Sequence, residues 1–174
     1  MPPTALCFAA RLDARLARAE IRLAAALLGG ALCCMLAGGA MRSLGRPLIW
    51  TDELAVLCMA VAALFGASAG IASGQHLAVG ALAARLPRAL RRGADALLAA
   101  LLAGFLLCLW IWLDPLGLLR AGSGAALARE TGNFTYAEPT MTLGLRKIWF
   151  WLAMIPATLG ALFHALVRAS GARC

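Results

Sequence analysis

Four uninterrupted apolar runs, at 23–41, 54–74, 96–113 and 148–167, constrain this chain more than any other feature. Each is near the 20 helical residues that cross a hydrocarbon core of about 30 Å. The first three hold no charged residue, and the fourth holds only His164, close to its end. A membrane barrel needs short strands that alternate apolar and polar side chains, so these continuous Leu/Ala/Gly runs read as helices. With 63% hydrophobic and 14% charged residues and a mean hydropathy of +0.84, the chain has too little polar surface for a water-soluble enzyme. At 174 residues it makes one domain. The expected fold is therefore an all-α integral membrane protein, a single four-helix domain over 1–174.

The Lys and Arg residues set an expected orientation. Arg11, Arg15, Arg18, Arg22, Arg85, Arg88, Arg91, Arg92, Arg168 and Arg173 lie on one side of the four spans. The other side carries Arg42, Arg46, Arg120, Arg129, Arg146 and Lys147, offset by Asp52, Glu53, Asp114, Glu130 and Glu138. The positive-inside rule puts the first set, and with it both termini, in the cytoplasm of a bacterium, and segment 114–147 outside. A net charge of +8 could also suggest nucleic acid. These basic residues, however, fall between apolar runs and not on one aromatic-bearing face, so no nucleic-acid partner is expected. The first run exceeds the 7–15 apolar residues of a signal peptide and is read as an uncleaved anchor, although Gly38-Gly39-Ala40 weakly resembles a cleavage site.

Two segments suggest helices lying on the membrane. The first 22 residues are amphipathic: Arg11, Arg15, Arg18 and Arg22 form one stripe, and Phe8, Leu12, Leu16, Ala19 and Leu23 a neighbouring one. A plain extension of the first span is the alternative. Segment 76–92 sets Val79, Leu82, Leu86 and Leu90 opposite Arg85, Arg88 and Arg92, with Pro87 bending an interfacial arm. Membrane lipids are the implied partners of both.

Chemistry-bearing patterns are sparse. Cys7, Cys33, Cys34, Cys58, Cys108 and Cys174 show no Cys-x-x-Cys and no ligand spacing with histidine, so they read as small packing residues. No Asp, Glu, Lys or Arg lies inside a span and only Pro156 interrupts one, so no catalytic residue, metal site or cofactor is expected, and neither is a substrate path through this chain alone. His164 reads as a helix-end residue. Along the second span Ala62, Gly66, Gly70 and Gly74 recur every fourth residue. Such a ladder lets a second helix approach closely, from this chain or from another.

Just before the second span, Trp50-Thr51-Asp52-Glu53 resembles the small (DctQ-like) membrane subunit of tripartite ATP-independent periplasmic (TRAP) transporters. That family places a Trp, one residue and two acids here, and Asp52 stands where Glu is commoner. Gly66, then His76 followed by an apolar stretch and Leu86-Pro87, fit the same pattern, as do Pro139…Leu143-Gly144-Leu145 and Pro156. Gly80 stands where the family often has Asp, and 114–138 matches no pattern. The resemblance, over about 42–166, implies a division of labour. A large membrane subunit moves the substrate and sodium by an elevator motion, as secondary transport by symport. A periplasmic binding protein delivers an organic acid, and the small subunit in the inner membrane serves as scaffold. Trp50, Asp52, Glu53, Ala62, Gly66, Gly70, Gly74 and His76 are then the candidate subunit-interface residues. Trp50 also suits an aromatic belt, Asp52 and Glu53 a helix terminus, and His76 a plain interfacial position. Phe134 and Tyr136 are weaker candidates for meeting the binding protein. The small subunit of a tripartite tricarboxylate transporter is the alternative of the same class, and an orphan membrane enzyme or sensor that of another.

Overall fold

A computed structural model describes residues 3–74 and 87–170 of the chain. Its helices are α1 (Pro3–Ser43), α2 (Trp50–Ser73), α3 (Arg88–Leu113), α4 (Pro115–Ala121), α5 (Gly124–Thr131), α6 (Ile148–Trp151) and α7 (Met154–Ala169). Four stretches are long and apolar enough to cross a membrane: Cys7–Ser43, Trp50–Ser73, Gly93–Ala121 and Ile148–Ala169. The helix α1 packs along α2, α2 and α3 each pack on α7, and α1 reaches α7 as well.

Why the helices close together is legible in the burial pattern. On α1 the buried positions Ala24, Ala31 and Gly38 recur every seventh residue, and on α2 so do Ala55, Ala62 and Ala69. Seven residues make nearly two helical turns, so each set forms one straight stripe of small side chains. A Cβ on Gly38 would lie 2.5 Å from the Thr51 hydroxyl oxygen, so only glycine permits the approach at that end. A second cluster, Ile71, Ala99, Ala161 and Ala165 with Leu98, Leu102 and Leu162, joins α2, α3 and α7. The larger side chains mostly point outward: Leu32, Leu36, Leu101, Leu107 and Ile111 are exposed, as a lipid solvent favours.

Two expectations change, and the interruption expected at Pro156 falls just before it. The amphipathic N-terminal segment is not a separate interfacial helix but runs unbroken into the first span, giving α1 its 41 residues. At 1.5 Å per residue that is about 60 Å, roughly twice a hydrocarbon core. Its apolar stripe faces away from the bundle, with Phe8 70% exposed and Leu12 and Leu23 also exposed. Residues 76–86 of the interfacial arm, His76 among them, lie outside the described residues. Its remainder does not form an arm, because Pro87 is the N-cap of α3 and 88–92 its first turns. The fourth span is interrupted at 152–153, between α6 and α7. Pro156 has no N–H to offer Leu152, and the preceding turn tightens, with Ala153 donating to the Phe150 carbonyl and Ile155 to that of Leu152.

All five tryptophans, Trp50, Trp110, Trp112, Trp149 and Trp151, sit at the bundle end opposite the termini. The rings of Trp112 and Trp151 meet edge to face, 6.2 Å between centroids. This tryptophan end also carries α4, α5 and a short hairpin. The other, terminal end gathers the first turns of α1 and the last of α2 and α7. Four thiols (Cys33, Cys34, Cys58 and Cys108) are free, but Cys7 is disulfide-bonded, which a reading of every cysteine as packing does not anticipate.

Candidate functional site

At the tryptophan end, Asp52 and Glu53 occupy the first turn of α2, yet neither caps it. The N-cap is Ile49, with no side-chain cap hydrogen bond among the described residues. Asp52 instead accepts from Arg42 at 2.6 Å, tying the last turn of α1 to the first of α2. Both partners are more than half exposed, so this pair contributes little stability.

Glu53 reaches the chain's far end. Its Oε1 accepts from the Met141 amide at 2.8 Å, and its Oε2 from the Thr142 amide at 2.7 Å and the Thr142 hydroxyl at 2.6 Å. Those donors belong to a hairpin that closes on itself. Pro139 and Arg146 pair antiparallel, Thr140 and Leu145 exchange bonds through Thr140 Oγ1, and the Lys147 amide donates to the Glu138 carbonyl. Gly144 supplies the left-handed turn residue at φ +68°, and Lys147 pairs with Glu138 at 2.6 Å. The two sequence landmarks around Glu53 and around Pro139–Leu145 are thus parts of one assembly. Spacing could not show this, because 88 residues separate them. The Met141 side chain at the hairpin tip is 89% exposed.

Beside the hairpin the unpatterned 114–138 segment folds as two short helices. Asp114 caps α4 by accepting from the Gly117 amide, and Ser123 caps α5 by accepting from that of Ala126. Tyr136 packs over Gly124, where a Cβ would collide with it. Asn133 donates to the Trp112 carbonyl at 2.9 Å, satisfying a free end of α3. Phe134, 63% exposed, lines a polar hollow of about 480 Å³ with Trp112, Asn133 and Glu138.

The four-residue ladder of α2 does not act as one surface. Ala62 is buried in the seam with α1, whereas Gly66 and Gly70 face open space, with nothing within 4 Å of a built Cβ. A step of four residues turns about 40° around the helix, so a ladder that starts in the seam leaves it. Gly74 is the left-handed C-cap of α2, at φ +67°. Trp50 is part-exposed at the bundle rim, as an aromatic belt requires.

Sequence reasoning missed a second constellation, at the terminal end. His164 is more than a helix-end residue; it is fully buried. Its Nδ1 lies 2.6 Å from Asp13 Oδ1, and its Nε2 3.1 Å from Glu20 Oε2. The Ser68 hydroxyl donates to Glu20 Oε1 at 2.8 Å. Gly160 of α7 makes the space, because a Cβ there would overlap Glu20 Oε1. One turn on, Arg168 donates to the Ile71 carbonyl at 2.8 Å and pairs with Asp95 at 3.3 Å. The available signal was the seven-residue spacing of Asp13 and Glu20, which puts both on the packed side of α1, away from the arginines.

A family model described as "Tripartite ATP-independent periplasmic transporters, DctQ component" matches residues 31–173. No curated protein and no solved structure matches the chain.

Proposed function

The chain belongs to the DctQ component family of tripartite ATP-independent periplasmic transporters, and from that premise we propose that it is the small scaffold subunit of such a transporter. It is a transporter component, with four helices fit to span a membrane. The family match supports this reading over the tricarboxylate-transporter alternative and over an enzyme or sensor.

The scaffold role rests on one observation. Among the described residues, the Asp, Glu, Lys and Arg side chains lie toward the two bundle ends, with Glu20 buried against Ser68 of α2, and the α1–α2 seam between them is alanine and glycine. Moving an organic acid or sodium needs polar groups at mid-membrane. We assign that work to a large elevator-type membrane subunit, supplied by a periplasmic binding protein and coupled to sodium. In this reading both termini lie in the cytoplasm, the tryptophan end faces the periplasm, and the Arg-rich stripe of α1 meets anionic lipid headgroups of the inner membrane.

The partner surface is assigned to the tryptophan end and the free side of α2. Trp50, Asp52 and Glu53 hold the outer rim and, through Glu53, the hairpin. Gly66 and Gly70 leave a shallow track where a partner helix gains close van der Waals contact. Ala62 and Gly74 shape α2 behind that track, and His76 is kept as an interface candidate on the family resemblance alone. The test is co-purification of the tagged chain with a co-expressed large membrane subunit encoded beside it. Recovery of a stable complex from detergent or nanodiscs is expected. Failure to associate, with both subunits inserted, would reject the assignment.

A further inference from the structure

Trp112, in the last turn of α3, walls two hollows of opposite character. On the membrane side lies an apolar groove of about 320 Å³, lined by Phe105, Cys108, Leu109, Trp112, Trp151 and Met154. Its α3 wall recurs at helical spacing and runs about 10 Å down the span from Trp112. The break between α6 and α7 falls between Trp151 and Met154 on the facing wall. Beyond the end of α3 the same indole borders the polar hollow that holds Asn133, Phe134 and Glu138.

The depth of Trp112 says what each hollow meets. Interfacial tryptophans sit at the level of the lipid headgroups, so the groove lies among acyl chains and the hollow beside headgroups. Phe105, Cys108, Trp112 and Trp151 are exposed, which leaves the groove open to lipid. A chain that enters it exchanges one apolar surrounding for another and gains only closer van der Waals contact. Selection among lipids therefore falls to the hollow, where most polar groups are already matched. Asn133 donates to the Trp112 carbonyl and accepts from the Thr135 amide, and Thr131 donates to the Leu127 carbonyl and accepts from the Asn133 amide. Glu138 differs. Its Oε1 accepts from Lys147, but among the described residues its Oε2 accepts from none, and the side chain is 49% exposed. A free carboxylate oxygen beside the exposed rings of Trp112 and Phe134 suits a cation that has N–H groups to donate.

We propose that groove and hollow together bind one phospholipid with a primary-ammonium headgroup, as in phosphatidylethanolamine. One acyl chain lies in the groove, and the ammonium donates to Glu138 Oε2 against the faces of Trp112 and Phe134. Lys147, on the other oxygen of that carboxylate, has two N–H left for the phosphate. The Glu138–Lys147 pair is neutral overall and matches a zwitterionic headgroup end for end. A headgroup with no cation would leave Oε2 unmatched, and a quaternary ammonium has no N–H to give it. The bound lipid links the end of α3 and the α6–α7 break to the base of the hairpin. The site rests on the four helices spanning a membrane, and on the proposed orientation only for the choice of leaflet.

The test uses the full-length chain in nanodiscs of equal parts phosphatidylethanolamine, phosphatidylcholine and phosphatidylglycerol with matched chains. Native mass spectrometry then identifies the lipid that stays with the released protein. Phosphatidylethanolamine should be retained about tenfold over each of the others, the ratio that one charge-assisted hydrogen bond supports. Glu138→Gln should bring the three lipids close to parity, and Phe134→Leu, at an exposed ring, should lower the preference without disturbing the fold. Cys108→Phe fills the groove from an exposed position and should lower retention of all three. Circular dichroism checks that each variant is folded, and the Phe134 and Cys108 variants decide the matter if Glu138→Gln is not. Equal retention of the three lipids by the unmodified chain, or a preference for either of the other two, would overturn the site. So would an undiminished phosphatidylethanolamine preference in the folded variants.

Discussion

Glu53 receives its three hydrogen bonds from residues 88 and 89 positions further along the chain, so its side chain holds the hairpin to α2. Glutamine keeps the size but replaces one acceptor oxygen by an N–H donor, which then faces a backbone N–H. Glu53→Gln should speed hydrogen exchange at the Met141 and Thr142 amides while α2 stays protected. If the complex is held through the hairpin, co-purification with the large subunit falls in the same variant. Unchanged exchange would show that the carboxylate does not hold the hairpin. At the other end Gly160 is a second single-residue test. Adding a methyl group there forces the Glu20 carboxylate from its place, so Gly160→Ala should cost about 1–3 kcal/mol. Gly104→Ala, with nothing within 4 Å, should be neutral or stabilising by up to about 1 kcal/mol. Thermal unfolding of the two variants in one lipid system compares them. Little of this could be read from the sequence. Trp50, Asp52 and Glu53 stood out by type and position, but a carboxylate's partner across so many residues leaves no periodic trace. His164 was passed over because one histidine near a span's end looks the same whether exposed or buried.

At the level of the elements, the apolar runs were legible because the bilayer demands some 20 consecutive apolar residues and tolerates few substitutes. Where those helices end was less legible. No polar break separates the amphipathic start of α1 from its span, and helix propensity continues through both, so one long helix results. The fourth span looked continuous by hydropathy, although Pro156 marks the break that forms just before it. The small-residue ladder was seen at the wrong period: fourfold spacing catches the eye in sequence, but the packed seam follows sevenfold spacing. This distinction yields a prediction. Ala62→Leu places bulk in the seam and should destabilise the isolated chain by about 1–3 kcal/mol. Gly66→Leu and Gly70→Leu point into open space and should leave the chain folded but reduce recovery of the complex. The exposed Ala103→Leu on α3 serves as the control and should change neither. Equal complex recovery for the Gly66 and Ala103 variants would remove the track from the interface.

For the whole molecule, the arrangement is a polarised bundle with a tryptophan-rimmed, hairpin-bearing end and an opposite end where α1, α2 and α7 meet around the buried His164. The membrane class and the family were legible because they rest on composition and on landmarks spread over most of the chain, and the match over residues 31–173 agrees with them. The orientation follows from the arginines and is open to direct test. In a cysteine-free background, a cysteine at Gly122 should react with an impermeant reagent added outside, and one at Arg15 only after permeabilisation; the reverse pattern would invert the bundle. In the proposed role this chain supports transport without conducting it. The most direct measurement of that role is sodium-driven organic-acid uptake into proteoliposomes holding the chain alone, the large subunit alone or both, with the binding protein supplied. Uptake is expected only when both membrane subunits are present, with none by this chain alone. Binding-protein-dependent uptake by this chain alone, or full uptake by the large subunit without it, would contradict that role.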